Sequence, residues 1–312
     1  LIPDPQRVTA NETILEQHSR GMTPHPPRLP DAVVFPKDKE EVSKVMAFAY
    51  EHEIPVVPFG VGSSIEGHVI PLRGGISLDM TLMNRIIEVR PDDFIARVQP
   101  GITRTQLNAH LKHHGLFFAV DPGADASIGG MAATNASGTN AVRYGIMRDQ
   151  VLGLEVVLAD GRIIRTGGLS FKSSAGYDLT GLFVGSEGTL GIFTEITLRL
   201  HGIPETITAA KAVFPNLEAA AKAVEGVLKC GIPVGRMELV DELTIRAVNS
   251  YSKTDYTPAP TLFLEFSGNR AAVDYDVELT REMMEGEGCL SFEFEKDVSG
   301  RNRLWEARHS AA

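Results

Sequence analysis

The sequence predicts an α+β protein in two parts, and three observations carry that prediction. Two stretches dense in glycine and small hydroxyl residues, Pro58 to His68 and Asp121 to Gly138, each follow an apolar run with strand character. A third cluster, Gly185 to Ile192, also leads into a strand. Beyond Gly202-Ile203-Pro204 the glycine loops stop, and apolar runs alternate with stretches of helical periodicity. The expected division is an N-terminal extension over 1–30, a first domain over 31–202 and a second domain over 203–312.

The first thirty residues are polar and proline-rich, ending in Thr23-Pro24-His25-Pro26-Pro27-Arg28-Leu29-Pro30, and read as extended chain or turn. Ala32 to Phe35 is a short strand. Asp38 suits a helix N-cap, and Val42, Val45, Met46 and Ala49 recur at helical spacing to about His52. Ile54 to Pro58 is a strand that runs into the first glycine loop. This β-α-β-loop unit resembles a nucleotide-binding half. Ile76 to Met80, Ile86 to Val89 and Phe94 to Val98 follow as strands. Thr103 and Gln106 form a capping box for a helix through Leu107 and Leu111 that ends at Gly115.

After the second glycine loop, Val151 to Leu158 and Arg162 to Thr166 flank Asp160-Gly161, a hairpin turn signal. The third cluster leads to a strand over Ile196 to Leu200. In the second domain, strands near 206–214, 234–240, 261–267 and 289–295 are separated by helices near 216–229, 241–249 and 270–286. That order predicts a four-stranded sheet with helices on one face, a ferredoxin-like layer. Arg303 to Ala312 keep a helix-like pattern without a Gly or Pro stop, and the chain starts at Leu1. The expectation is a piece cut within a domain, with targeting information lost.

Composition narrows the function classes. At 312 residues, 43% hydrophobic and 22% charged, the chain has the make-up of a globular protein. No apolar run is long enough to cross a bilayer. A net charge of −10 argues against wrapping a nucleic-acid backbone, which needs a basic face. Cys230 and Cys289 lie in apolar surroundings far apart, as buried thiols rather than a disulfide framework.

The glycine loops carry the chemistry. Glycine lets backbone N–H groups approach a ligand closely, and consecutive N–H groups form an anion-binding nest. In the first loop, Gly60-x-Gly62 lacks the third glycine of a Rossmann fingerprint, since that position is Ile65, and no Gly-Lys-Ser/Thr follows. The hydroxyls of Ser63 and Ser64 sit at the strand end. In the second loop, Ala132, Ala133 and Ala136 leave room for something flat, while Asn135, Ser137 and Thr139 offer donors and acceptors to a heterocycle edge. A long irregular loop packed on itself is the alternative there. Together the loops outline a site for a ligand with both phosphates and a flat ring system.

Other motifs are weaker. Gly185-Ser186-Glu187-Gly188 does not have the spacing of a nucleophile elbow, which argues against a serine hydrolase. His110, His113 and His114 fall in the last turn of the capped helix and read as solvated rather than metal-binding. Lys172 and Tyr177 fit a surface role and a ligand-facing role equally well.

Taken in this order, the clusters resemble the FAD-binding domain of the vanillyl-alcohol oxidase/PCMH flavoprotein superfamily. The resemblance is nearest to its FAD-linked D-lactate dehydrogenases, with the glycolate oxidase FAD subunit as a relative. It rests on Pro58 to His68, on Asp121-Pro122-Gly123-Ala124-Asp125-Ala126-Ser127, and on Gly138 to Asp149 with Thr139-Asn140-Ala141-Val142-Arg143-Tyr144-Gly145. Gly185 to Ile192 and Leu304-Trp305-Glu306-Ala307-Arg308-His309 complete it.

The resemblance implies a two-subdomain PCMH-type FAD-binding domain followed by a partial cap domain. It implies that Pro58, Gly60, Val61, Gly62, Ser63 and Ser64, with Gly67 and His68, hold the pyrophosphate side of FAD. Pro122, Gly123, Ser127, Gly129, Gly130, Asn135 and Ser137, with Tyr144 and Gly145, would line the flavin side. Glu187, Gly191 and Ile192 would belong to the adenosine side. Some members attach FAD through a histidine in the first loop; the matching position is Ser63, which implies non-covalent FAD.

The implied reaction is oxidation of a D-2-hydroxy acid, D-lactate above others, with electrons passed to a quinone or cytochrome. The alternatives are a glycolate oxidase FAD subunit and, for this piece, a non-catalytic FAD-binding module. Arg308 matches the position that would bind the substrate carboxylate, and Trp305 would line the pocket. The family's His-x-Gly-x-Gly-Asn-x-His and Glu-His-Gly segments do not occur in these residues. A divalent metal and its ligands are therefore expected only in a C-terminal part that is missing here. The expected location is cytoplasmic or peripheral to a membrane, with a mitochondrial one compatible.

Overall fold

The structure, a computed structural model, describes residues 1–309, with side chains through 305. It divides into two compact units, one of residues 1–137 and 145–202, the other of residues 138–144 and 203–312.

The first unit contains two larger sheets. In one, the strands run in the order Val8–Thr9, Ala32–Val34, Ile76–Asp79, Val56–Phe59. The last three are mutually parallel, and Val8–Thr9 pairs antiparallel at the edge. Helix Lys39–Glu51 connects two of the parallel strands, and the Asp38 side chain accepts from the Glu41 N–H as its cap. Its Val42, Val45 and Met46 pack on Val34 and Leu78, so the alternating apolar residues of the strands and one helix stripe close a core. The other sheet is antiparallel, in the order Ile86–Arg90, Ile95–Val98, Ile192–Arg199, Val151–Val157, Ile163–Gly167. Its inner face is covered by helices Arg104–Leu111 and Ile128–Ala133. The Thr103/Gln106 capping box is present, and Gly115 takes the left-handed conformation that ends the following 3-10 turn.

Three expectations about this unit are corrected. Residues 1–30 are not all extended chain or turn, nor a separate extension. Asn11 caps a helix over Glu12–Gln17, and Arg7 reaches Glu41 in a buried, two-bonded ion pair. The second glycine loop is not irregular throughout, because the Ser127 side chain caps a short helix over Ile128–Ala133. The strand after the third cluster starts at Ile192 rather than Ile196, since every residue from Ile192 to Leu198 is buried between neighbouring strands.

The second unit holds an antiparallel sheet in the order Val234–Val240, Thr261–Gly268, Thr206–Val213, Ser291–Glu295. Helices Leu217–Lys229 and Arg270–Gly286 pack on one face, on Ala210, Ala212, Leu262 and Leu264. The expected placement of all helices on that face is wrong. Ala209, Val240 and Phe263 point the other way and are covered by helices Glu242–Ser252 and Val298–His309. Strand alternation explains this: both faces of the central strands are apolar, so both need covering. The short helix Ala141–Tyr144 also belongs to this unit, where Arg143 donates to the Pro233 carbonyl at 2.7 Å.

Both cysteines are free, but Cys230 is exposed and Cys289 half-buried, so neither is the buried thiol expected. Cys230 stands just past a helix end rather than inside the apolar stripe. His110, His113 and His114 are exposed, as are Lys172 and Tyr177. Among the described residues, no helix is long and apolar enough to cross a membrane.

Candidate functional site

A cavity of about 520 Å³ lies in the first unit, and all three glycine clusters line it. Strand Val56–Phe59 ends at its mouth and delivers Gly60 to Ser64 into the wall. Gly62 has φ of +65°, a left-handed conformation that turns the chain back and costs other residues strain. Among the described residues, the backbone N–H groups of Val61, Gly62, Ser63 and Ser64 have no hydrogen-bond acceptor in the protein. Four successive N–H groups without a protein acceptor at a cavity wall are free to donate to an anion.

Close packing fixes the walls around these donors. A Cβ at Gly60 would lie 2.5 Å from Ser127 Oγ, so the first two loops touch where only glycine fits. A Cβ at Gly129 would meet Pro100 Cβ at 2.5 Å, and the Gly129 N–H donates to the Pro100 carbonyl at 2.7 Å. Gly123 differs: a Cβ there would have no neighbour within 4 Å. The third cluster is tied to the second through backbone bonds. The N–H groups of Gly185 and Glu187 donate to the carbonyls of Ala132 and Ala133, both at 2.9 Å. Asn135 and Glu187 are both left-handed, with φ of 49° and 51°. Asn135 Oδ1 accepts from the Arg148 N–H, and Arg148 Nη2 donates to the Val184 carbonyl.

Charge is sparse in the cavity. His68 lies 3.9 Å from Glu187 Oε2 and 3.4 Å from Ser64 Oγ, and Glu66 also lines the wall. Among the described residues no cluster of His, Cys, Asp and Glu has the arrangement of a metal site.

Pro58, Gly60, Val61, Gly62, Ser63, Ser64 and His68 all line the cavity. So do Pro122, Gly123, Ser127, Gly129, Gly130, Asn135 and Ser137, together with Glu187, Gly191 and Ile192. Gly67 is not in the wall; its φ is +83°, and a Cβ would strike the His25 ring. Gly145 turns the chain beside Asp149, again with positive φ. Tyr144 belongs to the second unit. Trp305 is also there, buried in the cluster with Phe263, Ile245 and Leu304, and the Arg236 guanidinium lies 5.0 Å from its ring. The Arg308 side chain lies outside the described residues.

Sequence reasoning missed Phe59, Met80, Pro100, Ala126 and Phe193, which also line the cavity. Apolar side chains carry no local sign that separates a cavity wall from a core. Pro100 offered the nearest thing to a signal, as a fixed turn just before the capping box.

Comparison with known proteins is consistent across sequence and structure. The family described as "FAD binding domain" matches residues 30–167, and the family described as "FAD linked oxidases, C-terminal domain" matches 203–312. A Danio rerio protein named "Probable D-lactate dehydrogenase, mitochondrial" is 46% identical over 97% of this chain and 62% of its own length. "D-lactate dehydrogenase [cytochrome], mitochondrial" of Arabidopsis thaliana is 44% identical over 91% of this chain and 50% of its own. "Glycolate oxidase subunit GlcD" of Bacillus subtilis is 37% identical over 94% of this chain and 63% of its own. The chain therefore spans between half and two thirds of these relatives. A structure of p-cresol methylhydroxylase with substrate bound superposes at a TM-score of 0.81 and 22% identity, covering 98% of this chain and 66% of that one. The last similarity concerns the fold.

Proposed function

We propose that this chain, which belongs to the FAD-linked oxidases, holds FAD in the cavity of its first unit and serves the oxidation of a D-2-hydroxy acid. One observation carries the cofactor reading: the four unpaired N–H groups of Val61 to Ser64 at the cavity wall. They fit a diphosphate, which brings negative oxygens and no donors of its own. The open space beside Gly123 and the small side chains of Ala133 and Ala136 fit a flat ring system. Asn135 and Ser137 give that ring's polar edge donors and acceptors, and Glu187 with Gly191 and Ile192 suits the adenosine end.

When bound, the flavin supplies the capacity to accept a hydride and pass electrons on. The residues of this chain bind it, orient it and exclude water. Ser63 carries a hydroxyl where a covalent tether would need an imidazole, so the flavin is held by non-covalent contacts. A 2-hydroxy acid brings a carboxylate, and Arg308 is the residue we assign to it, because a guanidinium binds a carboxylate with two parallel bonds. Trp305 would act through its helix, which also carries Arg308. The proton of the substrate hydroxyl must leave as the hydride does. We assign neither its acceptor nor a divalent metal that would polarise the oxygen to the described residues, among which no cluster of His, Cys, Asp and Glu has the arrangement of a metal site.

The names of the relatives support D-lactate as the substrate, a cytochrome as the electron acceptor and mitochondria as the location. A second reading, a glycolate oxidase subunit, is favoured by the Bacillus subtilis relative. Anaerobic mixing of the full-length protein with D-lactate, L-lactate and glycolate separates these readings. D-lactate is expected to bleach the flavin absorbance at least tenfold faster than the other two. Glycolate bleaching first would favour the second reading, and no bleaching with any hydroxy acid would overturn the assignment. Denaturing precipitation should leave the yellow chromophore in the supernatant, and its retention on the protein would contradict the non-covalent reading.

A further inference from the structure

The first glycine loop is shaped from behind by residues outside the cavity. His18 is 4% exposed, and each ring nitrogen faces an oxygen: Nδ1 the Ile14 carbonyl at 2.8 Å, Nε2 the Asp79 carboxylate at 2.9 Å. The Ile14 carbonyl can only accept, so Nδ1 carries an N–H toward it, and the hydrogen bonds to Asp79 and Ile14 favour the protonated ring against its burial. The other Asp79 oxygen accepts from the N–H and hydroxyl of Thr81, which fixes the carboxylate at the end of its strand. The His18 ring packs on Phe59, with centroids 4.4 Å apart. Phe59 in turn fills the space where Gly62 would carry a side chain, since a Cβ there would lie 2.8 Å from Phe59 Cζ.

The backbone that follows His18 meets the same loop. The Met22 N–H donates to the Gly62 carbonyl at 3.2 Å. A Cβ at Gly21 would lie 2.9 Å from the Ser64 carbonyl oxygen and 3.3 Å from that of Gly62. In a trans peptide the N–H points opposite to the preceding C=O. A Gly62 carbonyl held toward Met22 therefore turns the Ser63 N–H away from Met22. The Ser64 carbonyl, turned toward Gly21, does the same for the Ile65 N–H.

We propose that the His18–Asp79 pair and the Gly21-Met22 backbone form a brace that sets the peptide directions of the first glycine loop. His18 and Asp79 are then positioning residues for the cofactor's diphosphate, although neither lines the cavity. The proposal rests on the FAD reading above.

The test compares His18→Gln, Asp79→Asn and Gly21→Ala with Arg7→Gln in the same 312-residue chain. Arg7→Gln breaks the buried Arg7–Glu41 pair in the same N-terminal segment without touching the loop. Gly21→Ala intrudes on the loop carbonyls while leaving the buried pair intact, so it remains informative if a pair variant does not fold. FAD affinity is read by titration of the apoprotein, and the Ser63 and Ile65 amide resonances by NMR without FAD.

The brace variants are expected to weaken FAD at least tenfold and to shift both amides. Arg7→Gln is expected to lower the melting temperature yet keep the affinity within twofold. Brace variants that bind FAD within twofold of the unaltered chain would overturn the proposal, as would an equal loss of affinity in Arg7→Gln. If the unaltered chain binds no FAD, the cofactor reading falls. The amide shifts then decide the brace alone: shifted amides in the brace variants support it, and unshifted ones overturn it.

Discussion

At Gly123 and Gly129 the same substitution should have different effects. A methyl at Gly129 meets Pro100 side chain and backbone, all near or below 3 Å, so Gly129→Ala must displace the wall. Overpacking of this kind costs about 1–3 kcal/mol, and chemical denaturation should show a lower midpoint with an unchanged slope. A methyl at Gly123 meets nothing, so Gly123→Ala should leave the midpoint alone. It should instead weaken FAD, by roughly tenfold, because it takes up space on the ligand's side of the wall. Equal midpoints with equal affinities would show that the ligand never approaches Gly123. These residues were legible in the sequence because glycine and small hydroxyls are the residue types a backbone-lined site requires. Phe59 and Pro100 were not legible, because facing a cavity is a property of tertiary position alone.

At the scale of elements, local signals are legible in the sequence and sheet faces are not. The Thr103/Gln106 box is complete within four residues, and both of its bonds form, at 3.3 and 3.1 Å. Thr103→Ala should cost about 1 kcal/mol, measured by denaturation, with an Ala at the exposed His113 as a near-neutral control. The helix over Glu12–Gln17 carries little local signal, because it is less than two turns long and prolines follow it. In the second unit the strand and helix boundaries were legible from periodicity. Which face each helix covers was not, since Ala209 and Ala210 are the same residue type on opposite faces.

The whole molecule should respond to pH at both ends through charges buried in the first unit. Burial works against the charge on His18, but the hydrogen bonds to Asp79 and the Ile14 carbonyl prevail and raise its pKa above 6.5. A raised folded value means that its contribution is complete below the unfolded pKa and is lost as pH rises through the folded one. Glu41 moves the other way: the hydrogen bond from Arg7 outweighs burial and holds its carboxyl below 4.5. Its contribution is present above the ordinary carboxylate range and lost as pH falls through the lowered value. Melting temperature against pH should therefore lose part of its decline with rising pH in His18→Gln and part of its acid decline in Glu41→Gln. Profiles parallel to that of the unaltered chain would contradict both assignments. Bound FAD should raise the whole curve, since ligand at a hundred times its dissociation constant stabilises the fold by about 2.7 kcal/mol.

The chain order of the two units was legible only in part, because residues 138–144 leave the first and are built into the second. Their place in the second unit depends on Asn140 accepting from Arg236 Nε, on Arg143 at the Pro233 carbonyl, and on helix Ala141–Tyr144 against the strand Val234–Val240. No local composition announces that. Its practical meaning is for anyone who cuts the molecule. A protease that nicks the chain at 202–203 would yield two pieces that stay together on a gel run without denaturant, because seven residues of one piece are sewn into the other. A gene fragment starting at 203 would lack that stitch altogether.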